Sequence, residues 1–226
     1  MIQIQGLSKS YGEKTVLRNI DTVFKTGMVY GIVGRNGAGK TTFFKCIAGL
    51  ETFAGMIEAD LKPLKNHLGY LDAEPYFLPK ITGEEYLYLL SEARGKKIRN
   101  LEERNIFELP LKRYITAYSS GMRKKLAIMA VLLQDNDYFI LDEPYNGLDL
   151  QSCILLAEII KRLKTLNKLV LISSHIFSTL EESCDEILLL EDGRFTVSAT
   201  REKFPGLKEQ ISATLLHKNI DDLFSP

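Results

Sequence analysis

The apolar positions of this chain change period at well-marked places, and the changes divide it into elements. Ile2 and Ile4 alternate with Gln3 and Gln5, the pattern of a half-buried strand, until Gly6 and the Ser8–Gly12 stretch break it. Two further runs, Val16-Leu17 through Ile20 and then Val23-Phe24, predict a small antiparallel sheet beside it. Lys25-Thr26-Gly27 turns the chain into Met28–Val33, a short apolar run of buried-strand type. Thr42–Ala48 changes to helical spacing and stops at Gly49. Gly55–Glu58 and Leu68–Leu71 are again strand-like.

From about Glu74 to Leu133 the character differs. Glu84–Leu90 is an amphipathic helix with Thr82 as its cap, Gly95–Glu108 is charged and predicted to be solvated, and Met122–Leu133 has apolar residues at helical spacing. The strand pattern then resumes with Tyr138–Leu141. A helix over Ser152–Leu163 is expected to point Ile154 or Leu155, Ile159 and Leu163 inward. Leu169–Ile172 is the next strand, followed by a helix through Leu180 and the strand Ile187–Leu190, which ends in an Asp192-Gly193 hairpin signal. Strands separated by helices, with right-handed crossovers, predict an α/β fold with its ligand at the strand C-termini. The expected organisation is one domain over 1–226. It has a core and β subdomain over about 1–73 and 134–200, a small helical subdomain over about 74–133, and a tail over 201–226 in which no chemistry is legible.

Composition narrows the class without naming a function. With 45% hydrophobic and 26% charged residues over 226 positions, the chain resembles an ordinary globular protein. Lys+Arg and Asp+Glu both number 29, and this zero net charge argues against a nucleic-acid partner. Cys46, Cys153 and Cys184 are isolated, so neither a disulfide framework nor a zinc site is indicated. The first residues lack the basic and apolar regions of a secretion signal, and no apolar run approaches the roughly 18 residues of a membrane span. The expectation is a cytoplasmic protein that reaches a membrane only through a partner.

The chemistry centres on Gly34–Thr42, GRNGAGKTT, which fits G-x-x-x-x-G-K-[ST] between a strand and a helix. Glycines let the backbone of Gly34, Arg35, Asn36, Gly37, Ala38 and Gly39 wrap phosphates, whose charge the N–H groups and the helix N-terminus stabilise. Lys40 would reach the β- and γ-phosphates, Thr41 would ligate Mg²⁺, and Thr42 opens the helix. A second constellation is Tyr138–Leu141 followed by Asp142-Glu143, a buried strand that delivers two carboxylates to the sheet's mouth. Asp142 suits the hard cation, directly or through water, and Glu143 suits a general base for an attacking water. His175 ends the next strand and could touch a γ-phosphate or hold the water.

Taken together these segments resemble the ATP-binding subunit of an ABC transporter over about 1–200. GRNGAGKTT resembles that family's Walker A motif and YFILDEP its Walker B motif. Tyr118–Lys125 resembles the signature sequence in its YSxGM form, Asn146–Asp149 the D-loop, and Ser173-Ser174-His175 the switch histidine. Tyr11 falls where the family stacks an aromatic ring on adenine. The resemblance implies a P-loop NTPase fold (RecA-like) with an N-terminal antiparallel β subdomain and a small helical subdomain. It also implies two ATP molecules sandwiched head to tail between two such ATPase subunits. Ser119 and Gly121 of one would contact the γ-phosphate held by Lys40 of the other, with Asp149 at the same interface. A transmembrane permease subunit, of an exporter in this signature class, is the implied partner, and the ATPase would sit peripherally on the inner membrane face. The family's usual Gln falls on Ala73 here, and Glu74 is the nearest substitute. Two alternatives stay beside transport: an ABC-type ATPase of a soluble complex, and an ATP-binding regulatory module.

Overall fold

Residues 1–216 are described by the computed structural model, and their strands fall into two sheets. The first is antiparallel, in the order β2-β1-β4, from β1 (Ile2–Tyr11), β2 (Lys14–Phe24) and β4 (Ala54–Ala59). The second has the order β5-β6-β7-β3-β8-β9. It is built from β3 (Val29–Val33), β5 (Leu68–Leu71), β6 (Tyr138–Leu141), β7 (Leu169–Ser174), β8 (Glu186–Glu191) and β9 (Arg194–Thr200). All its neighbours pair parallel except β8 with β9, which form the antiparallel hairpin that Asp192-Gly193 closes. Both turn residues have positive φ, 46° and 78°, as the favoured two-residue turn demands.

The parallel strands are buried on both faces, so alternate residues feed two cores. Val29 and Val33, Val170 and Ile172, and Phe139 and Leu141 join the helices α3 (Ser120–Leu132), α4 (Leu150–Thr165) and α5 (Phe177–Ser183) on one side. Tyr30 and Ile32, Leu169 and Leu171, and Tyr138 and Ile140 join the antiparallel sheet and α1 (Lys40–Ile47) on the other. Phe43 and Phe44 of α1 are fully buried there, and each such side chain contributes about 1.5–3 kcal/mol by leaving water.

Several boundaries differ from the pattern-based reading. The runs at Val16–Ile20 and Val23-Phe24 are one strand, because Asn19 at φ 48° marks an irregularity in the β1–β2 pairing without ending it. α4 buries Ser152, Leu156, Ile160 and Leu163 and leaves Ile154 exposed, with Leu155 and Ile159 partly buried. The inward stripe is thus rotated by about one residue. The segment expected to be solvated, Gly95–Glu108, buries Leu101 and Phe107, which pin it to the helical side of the core. The whole connection between α2 (Gly83–Glu92) and α3 is turns and irregular chain, apart from one short 3₁₀ turn at Ile115–Ala117. Thr82 caps α2 as expected, in a reciprocal capping box with Glu85. α6 (Phe204–Leu216) accounts for the helical pattern after Phe204; the rest of the expected tail lies outside the described residues.

Candidate functional site

The strand C-termini of β3, β6 and β7 end side by side, and the chain beyond each carries chemistry. After β3 the backbone turns tightly through residues 34–39. A Cβ at Gly34 would lie 2.5 Å from the Leu190 carbonyl, so only glycine fits against β8. Gly37 (φ 83°) and Gly39 (φ 108°) hold left-handed conformations that other residues adopt only with strain. Ala38 N–H bonds Arg35 O at 3.1 Å, which closes the turn, and α1 starts at Lys40 with no acidic residue in its first turn. Arg35, Asn36 and Gly37 are exposed at the rim. The loop borders a cleft of about 320 Å³ lined by Val16, Asn36, Gly37, Gly39, Lys40, Thr41, Thr42 and Glu143.

Lys40 is 7% exposed, and its Nζ donates to Gly34 O at 2.8 Å. It also stands 3.6 Å from Glu143 Oε1. The other oxygen of Glu143, Oε2, lies 3.0 Å from His175 Nδ1. One carboxylate therefore spans the gap between the lysine after β3 and the histidine after β7. Glu143 holds φ 46°, a left-handed conformation costly for a residue with a Cβ, and its N–H bonds Ser173 Oγ at 2.8 Å.

Asp142 is 0% exposed. The Ser173 hydroxyl donates to Oδ1, while Oδ2 has no hydrogen-bond partner of normal geometry among the described residues. Burial raises the Asp142 pKa above the ordinary carboxylate value; Ser173 and then Thr41 oppose this, and the charges of Glu143 and Asp72 add to it. Thr41 is thus near enough to act on the carboxylate without satisfying Oδ2. An orphaned, buried carboxylate oxygen beside a threonine hydroxyl fits a hard divalent cation, which would stabilise the charged form. Among the described residues no trio of His, Cys, Asp or Glu gathers for a metal, so such an ion would need phosphate or water oxygens to complete its shell.

Tyr11, at the end of β1, is half exposed, with Lys9 Nζ 4.6 Å from its ring centroid and Lys9 paired to Glu51 at 2.9 Å. Partial burial raises its pKa first, with Glu51 adding and Thr42 opposing, so the hydroxyl reaches towards the start of α1. Ser119, Gly121 and Asp149 do not line the cleft. Ser119 is the N-cap of α3 and accepts the Met122 N–H at 3.2 Å. A Cβ on Gly121 would lie 2.7 Å from the Gly147 carbonyl, so the signature turn and the 146–149 loop touch within one chain. Asp149 caps α4 through Ser152 N–H at 2.8 Å and pairs with Lys125 at 2.6 Å; that lysine first, then the cap, holds its pKa far below the usual carboxylate range.

Two features were not legible as site chemistry. Ser173 ties the Asp142 carboxylate to the Glu143 backbone N–H, yet a serine at a strand end carries no sequence signal of that role. Lys124, second from last in the signature stretch Tyr118–Lys125, is 5% exposed, and its Nζ donates to the carbonyls of Asp72, Ala73 and Asp142. The expected substitute, Glu74, is exposed, while Asp72 pairs with Lys45 at 3.3 Å.

Comparison with known proteins identifies the family and the fold. The family model described as ABC transporter matches residues 17–146. The bacitracin transport ATP-binding protein of Enterococcus faecalis is 30% identical, over 96% of this chain and 71% of its own length. The lantibiotic transport ATP-binding protein of Streptococcus pyogenes is 31% identical, over 96% of this chain and 98% of its own. A solved ATP-binding subunit of an ABC transporter superposes with a TM-score of 0.81 at 28% identity, covering 99% of this chain and 98% of that one.

Proposed function

The chain belongs to the ABC transporter family, and from this premise we propose that it is the ATPase subunit of an exporter, acting as a head-to-tail dimer on a transmembrane permease. Its family binds and hydrolyses ATP to power transport, and this chain does so too. The observation that carries the mechanism is the Glu143 carboxylate held between Lys40 at 3.6 Å and His175 at 3.0 Å on the phosphate cleft.

In this reading the N–H groups of residues 36–40 and the N-terminus of α1 cradle the phosphates. Lys40 exchanges its Gly34 carbonyl for phosphate oxygens, which hold it against the developing charge. Glu143 accepts a proton from a water as that water's oxygen bonds the γ-phosphorus and the bond to the ADP oxygen breaks. His175 fixes the rotamer of Glu143 and so the direction of proton transfer. Thr41 and Asp142 would hold Mg²⁺, which supplies charge neutralisation on the phosphates when bound. Tyr11 offers its ring to the base.

Ser119 and Gly121 stand away from their own chain's cleft, and this supports their service to a partner's nucleotide. The α3 N-terminus offers N–H donors to an anion there. Asp149 joins the same surface. The division into a core over 1–73 and 134–200 with a helical subdomain over 74–133 belongs to this reading. So does a place on the cytoplasmic membrane face; among the described residues no helix is long and apolar enough to cross a membrane. The exporter assignment follows the signature variant and relatives named for bacitracin and lantibiotic transport. Reconstitution in vesicles with a co-purifying multi-span membrane protein tests it. ATPase activity that rises with that protein, and ATP-dependent movement of solute away from the ATPase side, are the expected results. Stable association with a soluble complex and no response to a membrane partner would overturn it.

A further inference from the structure

Strands β5 and β6 run parallel and in register as far as Leu71 and Leu141, and Asp142 N–H extends the ladder to Leu71 O at 3.0 Å. Past that bond the ladder stops, and the carbonyls of Asp72, Ala73 and Asp142 need donors that no strand supplies. Lys124 reaches them from α3. Its Nζ lies 3.3 Å from Asp72 O, 3.0 Å from Ala73 O and 3.3 Å from Asp142 O. An ammonium has three N–H donors and no acceptor, so three protons meet three carbonyls.

We propose that Lys124 is a positioning residue that clamps the ends of β5 and β6 to α3, so that Asp142 and Glu143 keep their place on the cleft only while α3 keeps its own. The proposal rests on the roles given above to Asp142, Glu143 and Ser119. Ser119 caps the same helix five residues earlier, about 7.5 Å along its axis. A displacement of the α3 N-terminus on meeting a nucleotide is therefore delivered through a rigid helix to the carbonyl of Asp142. The side chain of Ala73 can form no such link, because it is a methyl group; its carbonyl joins the network instead. Burial pushes the Lys124 pKa down to about 8, with Asp142, Asp72 and Glu143 opposing. Lys45, on α1, faces the same loop from the other side through Asp72.

The test compares Lys124→Met, which keeps the apolar stem and removes the donors, with Lys124→Gln, which restores an N–H₂. The readouts are kcat and KM for ATP, and amide hydrogen exchange over residues 72–74 and 142–143. In Lys124→Met we expect kcat to fall about 10- to 100-fold, the scale of a small misplacement, with KM changed by less than about twofold. Exchange should accelerate in those two segments and not elsewhere, and Lys124→Gln should recover most of kcat and the local protection. A wild-type kcat in Lys124→Met overturns the clamp, as does an equal loss in both variants with uniformly faster exchange. If Lys124→Met does not fold, Lys124→Gln decides. Near-wild-type kcat with wild-type protection at 72–74 supports the clamp, and loss of either overturns it. A wild-type chain that bound ATP without hydrolysing it would instead overturn the site reading on which the clamp depends.

Discussion

His175 Nδ1 lies 3.0 Å from Glu143 Oε2, while the other oxygen of the same carboxylate faces Lys40 Nζ at 3.6 Å. A base held from both sides is restricted in rotamer before any water arrives, which is what positioned proton transfer requires. Glu143→Gln keeps the shape and removes the basicity. It should bind ATP, lose about 10²–10⁴-fold in hydrolysis, and accumulate an ATP-bound dimer visible by size exclusion. Hydrolysis at the wild-type rate would remove Glu143 from the mechanism. His175→Ala should lower kcat by less than Glu143→Gln does, since it removes the support and not the base.

Lys40 is buried and bonded to a loop carbonyl, which holds its ammonium at the cleft. Lys40→Ala should weaken ATP binding by about 10- to 100-fold, the range for losing hydrogen bonds to a charged group. Isothermal titration with ATP measures it directly, and an unchanged affinity would refute the assignment.

Among the described residues Asp142 Oδ2 has no hydrogen-bond partner of normal geometry, and burial raises the pKa of this carboxyl. Replacing the carboxylate by an amide keeps the shape and removes the charge a cation would meet. Asp142→Asn should abolish the magnesium dependence of ATP affinity, read by titration with and without the metal, while the folded state survives. A variant still sensitive to magnesium would place the cation elsewhere.

Ser119 caps α3 and stays outside the cleft of its own chain. Ser119→Arg should hydrolyse poorly and yet bind ATP as a monomer. Mixing it with Lys40→Ala should restore hydrolysis, because a head-to-tail pair then contains one site with Lys40 and Ser119 both intact. No recovery on mixing two folded, inactive variants would argue against a site shared between chains.

Asp149 binds Lys125 and the α4 N-terminus, which lowers its folded-state pKa below the unfolded value. A depressed carboxylate pKa stabilises the fold at pH values above the unfolded pKa. That contribution is lost as pH falls from there through the folded pKa. Asp149→Ala should therefore lower the melting temperature at pH 7, and the gap from wild type should narrow in strongly acidic buffer. Thermal scans across pH check the sign; a gap that widens in acid would contradict it.

The motifs bearing the phosphate loop, the two carboxylates and the histidine were legible because each is local. A glycine loop, a strand ending in acids and a strand ending in histidine are patterns of neighbouring residues, and the position of strand C-termini follows from the α/β class. The split that sends Val29 and Tyr30 to different cores was not legible, because the apolar run Met28–Val33 is read the same way on both faces of a strand. The inward face of α4 was harder to place. An apolar stripe that includes Ile154, Leu155, Ile159 and Leu163 fits more than one rotation, and packing against the sheet selected Leu156 and Ile160. Leu101 and Phe107 were hidden by the charges around them, although two apolar anchors are enough to bury part of a polar segment.

Sequence by itself determined that this chain carries a phosphate cradle, a pair of strand-end carboxylates and the motif order of its family, because these depend on residue identity over short spans. Tertiary structure decided the rest. It placed Glu143 between Lys40 and His175, put Ser173 between the Asp142 carboxylate and the Glu143 N–H, and brought Lys124 to three carbonyls contributed from 72, 73 and 142. No periodicity records such meetings, since the partners are 18 to 103 residues apart and meet only where parallel strands end side by side. Backbone carbonyls in particular carry no sequence identity, and which side chain satisfies them is settled only when the ladder runs out.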